Sequence, residues 1–115
     1  MLGHLGEGLL FYLYRLDFDV TRPWLHRGRT PKFKGRPSDY LRDNFYYTMS
    51  DSFRMAPFLT TLLEVGAHHI MLASDYPYER IEDAVRFLSD LSFAVDDLAE
   101  IAERTARSVF GLGRA

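Results

Sequence analysis

Four apolar residues in a row, Ile70-Met71-Leu72-Ala73, leave few folds open to this chain. The run is too short for a helix and lacks the alternation of a strand wetted on one face, so it reads as a parallel strand covered on both sides. Parallel neighbours need crossover connections, usually helices, and the sequence provides them. Phe45 to Met49 (FYYTM) is aromatic and β-rich, hence a second strand. Between the two strands Met55, Leu59, Leu62 and Leu63 recur at helical spacing, and Gly66 stops that helix in the C′ position. After Pro77, the residues Ile81, Ala84, Val85 and Leu88 form another helical stripe. A last helical pair carries Val95, Leu98 and Ala102, then Val109 and Phe110. Upstream, Leu9 to Leu16 reads as a buried helix entered through Gly6 and Gly8. Ser38 reads as the cap of a short helix behind Pro37 that runs through Asp43. Alternating strands and helices make an α/β fold with parallel pairing.

At 115 residues the chain suits a single domain, spanning 1–115. Hydrophobic residues at 47% and charged residues at 26% are those of a globular protein, which excludes disorder and low-complexity scaffolds. The formal charge of −2 gives no global pull toward nucleic acid or anionic membranes. Zero cysteines exclude disulfides and thiolate metal sites and fit a reducing cytoplasm. The longest apolar run, Leu9 to Tyr14, falls far short of the about 20 residues a spanning helix needs. It is no signal peptide either: Glu7 precedes it, no Lys or Arg does, and no small-residue cleavage site follows. Charge is uneven within the chain. Between Asp19 and Asp39 lie Arg22, Arg27, Arg29, Lys32, Lys34 and Arg36 and no acid, among Pro23, Gly28, Pro31, Gly35 and Pro37, so about 20–37 reads as a long basic loop.

Two motifs bear chemistry. In Gly3-His4-Leu5-Gly6-Glu7-Gly8, glycines let the backbone turn sharply and bring a His and a Glu to one opening. In Ala73-Ser74-Asp75-Tyr76-Pro77-Tyr78-Glu79, a carboxylate follows the buried strand, at the end where parallel sheets bind ligands. Each alone has a plain structural reading, the first as a hydrogen-bond pair at a helix N-terminus and the second as a helix cap.

Taken in order, HLGEG, a helix with Arg15 and Asp17, KFKGRPSDYLRDNFYYT, GAHHIMLASDYPYE and the closing TARSVFGL resemble the C-terminal part of the amidohydrolase-related metal-dependent decarboxylases. That family acts on dihydroxybenzoate, resorcylate, carboxyvanillate or aminocarboxymuconate semialdehyde. The resemblance implies the C-terminal portion of a TIM (β/α)8 barrel, about three βα units. It implies non-oxidative decarboxylation of a hydroxylated aromatic or related carboxylic acid. It makes Asp75 a ligand to a divalent metal, Zn or Mn, and the proton donor to the ring carbon. His4 then polarises a substrate carbonyl or hydroxyl, Glu7 hydrogen-bonds beside it, and Arg15 binds the substrate carboxylate through its planar fork. Where the family's closing helix carries Asn-Ala, this chain has Thr105-Ala106, a mild departure that touches local capping.

A whole barrel takes about 250 residues, and here there are two strands plus the stub Met1-Leu2-Gly3. The family's first-strand His-x-His or Glu-x-His motif and its mid-barrel His are missing. His26 has no partner at ligand spacing, and His68 and His69 lie roughly 15 Å along the strand from Asp75, at its opposite end. The chain alone is therefore expected to be inactive and, with raw sheet edges, to self-associate, as a homo-oligomer or with a missing N-terminal part. Three rival readings stand beside this one. The first is hydrolysis within the same superfamily, with Asp75 as base toward a metal-bound water. The second is an inactive interaction module built from the barrel segment. The third, a nucleic-acid binder using Trp24 and Phe33 on the basic loop, is disfavoured by the net acidity.

Overall fold

The computed structural model describes residues 1–22, 24 and 34–113. Two short strands, β1 (Tyr47–Thr48) and β2 (Ile70–Met71), pair in parallel with Tyr47 opposite Ile70 and Thr48 opposite Met71. Leu2 adds a parallel bridge on the other side of Tyr47. The hydrogen bonds confirm the order: Leu2 N–H donates to the Tyr46 carbonyl at 2.8 Å, Thr48 N–H to Leu2 at 2.9 Å and Met49 N–H to Met71 at 3.0 Å. The chain is thus α/β with parallel pairing. The strands are shorter than 45–49 and 70–73, yet the buried run sits where its composition put it: Ile70 and Met71 are buried on both faces.

Among the described residues six α-helices surround the strands: α1 (Leu13–Thr21), α2 (Pro37–Asp43), α3 (Met55–Val65), α4 (Ile81–Ser89), α5 (Val95–Ala99) and α6 (Thr105–Phe110). A π turn at Glu100–Arg104 joins the last two into one run. Tyr47, Met49, Phe58, Ile70 and Ile101 form the centre of the core, joined by Leu5, Leu10 and Leu13. Phe58 stacks edge-on against Phe87, and the Leu72 N–H reaches the Ile101 carbonyl at 2.9 Å, which ties the last helical run to the end of β2. Burial pushes the Tyr47 phenol up to about 12, and its hydroxyl donates to the Leu41 carbonyl.

Several side chains fall on other faces than their spacing suggests. The segment from Leu9 opens as a 3-10 turn (Leu9–Tyr12) and continues as α1 to Thr21. It buries Leu10 and Leu13 and leaves Phe11, Tyr12 and Tyr14 exposed. In α3 the buried positions are Phe58, Thr61 and Val65, while Met55 and Leu63 face outward. Ile81 and Val85 of α4 are exposed, as are Val95 and Phe110. Ile101 and Thr105 carry the burial of the last run instead. Apolar character states what a side chain can bury; the partner has to be present before it does so.

Ser38 does not cap α2. Arg36 holds that position, and Asp39 accepts its backbone N–H at 3.0 Å, closing the first turn. Ser38 lies inside the turn, fully buried, and donates its N–H (2.9 Å) and its hydroxyl (2.6 Å) to the two oxygens of Asp17. Asp17 therefore clamps α1 to the N-terminus of α2, where a carboxylate also suits the helix dipole. The basic loop and its His26 and Phe33 lie largely outside the described residues; Trp24 is exposed beneath the Arg22 guanidinium. His69 donates its Nδ1–H to the Phe45 carbonyl at 2.6 Å and stacks on Tyr46, a structural role at the start of β2.

Asp17→Ala is expected to lower stability by about 2 kcal/mol, because it leaves the buried Ser38 hydroxyl without an acceptor. Asp17→Asn, which keeps one oxygen, is expected to lose less; urea unfolding midpoints of the two variants check the order.

Candidate active site

Three segments leave the parallel strands in the same direction and meet. The first follows Leu2. His4, Leu5, Gly6, Glu7 and Gly8 all have positive φ, at 50°, 52°, 80°, 53° and 77°, so the HLGEG motif is a left-handed turn five residues long. Each residue there with a Cβ costs about 1–2 kcal/mol. The surroundings hold it: Leu5 is buried and its carbonyl accepts from the Thr61 hydroxyl, and Gly6 N–H donates to Gly3 at 2.8 Å. Only glycine fits at position 6, where a Cβ would stand 2.9 Å from the Tyr47 ring. This hand of turn sets His4 and Glu7 side by side, with His4 Nδ1 against Glu7 Oε1.

The second segment follows β1. Ser50 accepts the His4 N–H at 3.2 Å and is bonded to the Thr48 hydroxyl at 2.8 Å, so the turn after β1 and the turn after Leu2 are fixed to each other. The next residue, Asp51, takes a positive φ of 53°. The third segment follows β2. Asp75, at φ 73°, accepts the N–H groups of Tyr78 (2.9 Å) and Glu79 (3.3 Å) through its carbonyl. A cis peptide precedes Pro77.

The result is a polar cluster partly open to solvent. His4 Nε2 lies 3.6 Å from Asp75 Oδ2. One donor atom each from His4, Asp51 and Asp75 lie within 4.8 Å of one another, a spacing at which the three can share an ion. An imidazole nitrogen with two carboxylate oxygens is a donor set that suits Mn or Zn. The hydrogen bond with Glu7 raises His4 above its ordinary 6.5, and the charges of Glu7 and Asp75 act in the same sense against partial desolvation. Glu79 also belongs here: its hydrogen bond with Asp51, then desolvation and the neighbouring acids, hold its carboxyl above the usual range. A cleft of about 320 Å³ opens on the other flank of His4, lined by Leu5, Phe11, Pro57 and Thr60 among others.

Of the residues expected from the sequence, the structure brings His4, Glu7 and Asp75 together. Arg15 lies on α1, exposed and without an ion pair among the described residues. Asp51 and Glu79 were not anticipated. The rule that singled out Asp75, a carboxylate just past the C-terminal end of a parallel strand, applies equally to Asp51 after β1. Thr105, where the family has Asn, is buried and hydrogen-bonds the Ala67 carbonyl at 3.5 Å, so its role extends beyond a local cap.

In the metal-free chain, NMR titration of the ring is expected to give His4 a midpoint above 6.5, and Glu7→Gln to lower it. Because the folded value is the raised one, the stabilisation this pair gives is complete below pH 6.5 and fades as pH rises through the folded midpoint. Glu7→Gln is therefore expected to destabilise at pH 5.5 and to matter least at pH 9, as denaturation at the two values checks.

No protein-family model matches the chain. It is 34% identical over 116 residues to a gamma-resorcylate decarboxylase of Polaromonas sp., covering 99% of this chain and 34% of that protein. Its fold is similar to a 5-carboxyvanillate decarboxylase from Sphingomonas paucimobilis, with a TM-score of 0.88 at 33% identity over 97% of this chain and 33% of that one. It is also similar to a dihydroxybenzoic acid decarboxylase from Polaromonas sp. solved with manganese and 2-nitroresorcinol, with a TM-score of 0.84 at 34% identity over 99% of this chain and 34% of that one. The chain spans about a third of the length of the relatives it matches. Over about a third of their length, this chain is similar in sequence to gamma-resorcylate decarboxylases and in fold to carboxyvanillate and dihydroxybenzoate decarboxylases.

Proposed function

We propose that this chain carries the metal-binding and proton-handling corner of a non-oxidative decarboxylase acting on a hydroxylated benzoate, built as the C-terminal portion of a (β/α)8 barrel. The observation that carries the reading is the convergence of His4, Glu7 and Asp75 at the ends of parallel strands, in a chain whose relatives are decarboxylases of such acids. A divalent ion held there would neutralise substrate charge and draw electrons toward oxygen. Asp75 would be a ligand to it and, in its protonated form, supplies the proton to the ring carbon that bears the carboxylate. The carbon–carbon bond then breaks, its electron pair restores the aromatic ring, and carbon dioxide leaves. Water reprotonates Asp75. His4, oriented by Glu7 through Nδ1, presents Nε2 to a substrate hydroxyl or carbonyl. The guanidinium of Arg15, exposed and without an ion pair among the described residues, is available as a two-pronged clamp for a carboxylate. Further ligands would have to come from outside these residues, since the chain spans about a third of the length of its relatives. The apolar side chains left exposed on α3 and α4, Leu63, Ile81 and Val85, suit contact with it or with a second copy.

The test is the native protein purified from its cells, with intact mass, bound metal and carbon dioxide release from 2,6-dihydroxybenzoate measured on one preparation. The expected result is a particle heavier than 13.4 kDa with about one divalent ion per chain and release of resorcinol. In that protein Asp75→Asn is expected to lose both metal and turnover, and His4→Ala to lose turnover by at least about a hundredfold while keeping most of the metal. A metal-free, inactive species of 13.4 kDa overturns the reading in favour of an interaction module.

A further inference from the structure

The last helical run holds one residue more than a regular helix would. At Glu100–Arg104 it widens to a π turn, and the Thr105 N–H donates to the Glu100 carbonyl. In an α-helix that N–H would take the Ile101 carbonyl instead. Here the Ile101 carbonyl is left for another donor, the Leu72 N–H, which it accepts at 2.9 Å. Leu72 is the first residue past β2, and the segment from it leads directly to Asp75. The π turn thus converts a helix carbonyl into the backbone partner that a strand edge needs. The same run holds the other end of β2 as well, because the buried Thr105 hydroxyl donates to the Ala67 carbonyl at 3.5 Å.

The turn that carries Asp75 is shaped from within. Its carbonyl accepts the N–H groups of Tyr78 and Glu79, and the Ser74 hydroxyl accepts that of Tyr76 at 3.2 Å. Those bonds fix the form of the turn and leave its position to the strand it follows. Its links to the facing segments, Glu79 to Asp51 and Asp75 to His4, run through side chains open to solvent. The Leu72–Ile101 bond is a backbone link to a residue that is itself buried.

We infer that the π turn is a positioning device for Asp75: the carbonyl it frees on Ile101 holds Leu72 and so sets where the turn after β2 presents its carboxylate to His4. The need for that placement rests on the decarboxylase reading above.

Deleting Ala102, which is exposed, removes the extra residue and lets the run close as a regular α-helix, with the Ile101 carbonyl taken by the next turn. In the native protein carrying this deletion, the Leu72, Tyr78 and Glu79 amides are expected to exchange with solvent at least about tenfold faster, while those of Phe58 and Val65 in α3 keep their rates. Turnover of 2,6-dihydroxybenzoate is expected to lose about tenfold or more in kcat, with KM little changed. A companion variant that also inserts an alanine between Arg104 and Thr105 restores the count of residues and is expected to recover both. Equal acceleration of every amide, as a general loss of stability gives, overturns the inference, and so do unchanged rates at Tyr78 and Glu79. Wild type supplies a measurement that needs no variant: under rising urea the Leu72 and Tyr78 amides are expected to open together with Thr105, and opening independent of Thr105 overturns the inference too. A native protein without turnover brings down the decarboxylase reading alone, and the exchange pattern then decides the role of the π turn by itself.

Discussion

The parallel register of Leu2, Tyr47 and Ile70 is what the rest of this molecule depends on. Parallel strands place all their C-terminal ends on one side, and here the residues just beyond those ends are the polar ones. His4 follows Leu2 by two positions, Asp51 follows Tyr47 by four and Asp75 follows Ile70 by five. An antiparallel partner at any of these places would send its carboxylate to the opposite rim. A slip of one residue would put Thr48 and Met71 where the Tyr47 and Ile70 side chains pack and would shift each strand end against the others. The core and the site are thus specified by the same few hydrogen bonds. The ring of Tyr47, buried and tied through its hydroxyl to Leu41, is the point where both are anchored.

Against that stable centre the site is strained. Five successive positive φ values at His4–Gly8, and two more at Asp51 and Asp75, lie where the chain bears side chains with polar work to do. Left-handed backbone at a residue with a Cβ persists only when its surroundings over-determine it, and the constraints are visible: Thr61 on the Leu5 carbonyl, Ser50 on the His4 N–H, Gly6 against Tyr47. The strain has a geometric return. In a left-handed turn, residues three apart come into register on a side that a right-handed helix would not present. The His4 ring is then gripped at Nδ1 by Glu7 while Nε2 remains directed toward Asp75. Fixing one nitrogen decides what the other can do, which is how a carboxylate tunes an imidazole.

Much of this is legible in the sequence because the signals are local. The run Ile70–Ala73 announces a doubly covered strand, the glycines of HLGEG announce a turn that bends the wrong way for ordinary residues, and Gly66 marks the end of α3, where a Cβ would strike the His68 ring at 2.7 Å. The faces of the helices were harder to read. Leu63, Ile81, Val85 and Val95 carry the periodicity of buried positions and are exposed, since helical spacing identifies an apolar stripe and not the surface that meets it. Ser38 illustrates a different limit. As a serine next to Pro37 it has the composition of a cap, but its hydroxyl goes to Asp17, twenty-one residues earlier in the chain, and no local pattern reports so distant a partner. Asp51 escaped for a third reason: a lone Asp between two serines looks like turn chemistry, and its closeness to His4 exists only after β1 and Leu2 have paired.

The same contrast bears on how much of a site's geometry a few aligned strand ends can hold. The site groups lie within eight residues of a strand, and each is oriented by hydrogen bonds inside its own turn or to the adjacent one, so their mutual geometry needs only the three aligned strand ends. The helical faces have no such economy. A helix beside a sheet buries its stripe against the sheet and its flanks against neighbouring helices, and a flank that meets no other element stays exposed, as at Ile81 and Val85. Among the described residues the sheet runs from Leu2 at one edge to β2 at the other. Site geometry and stability therefore draw on different ranges of the structure. The donor atoms are in place although the outer helical faces leave Leu63, Ile81 and Val85 exposed, so the polar corner and the apolar surfaces are set by different contacts.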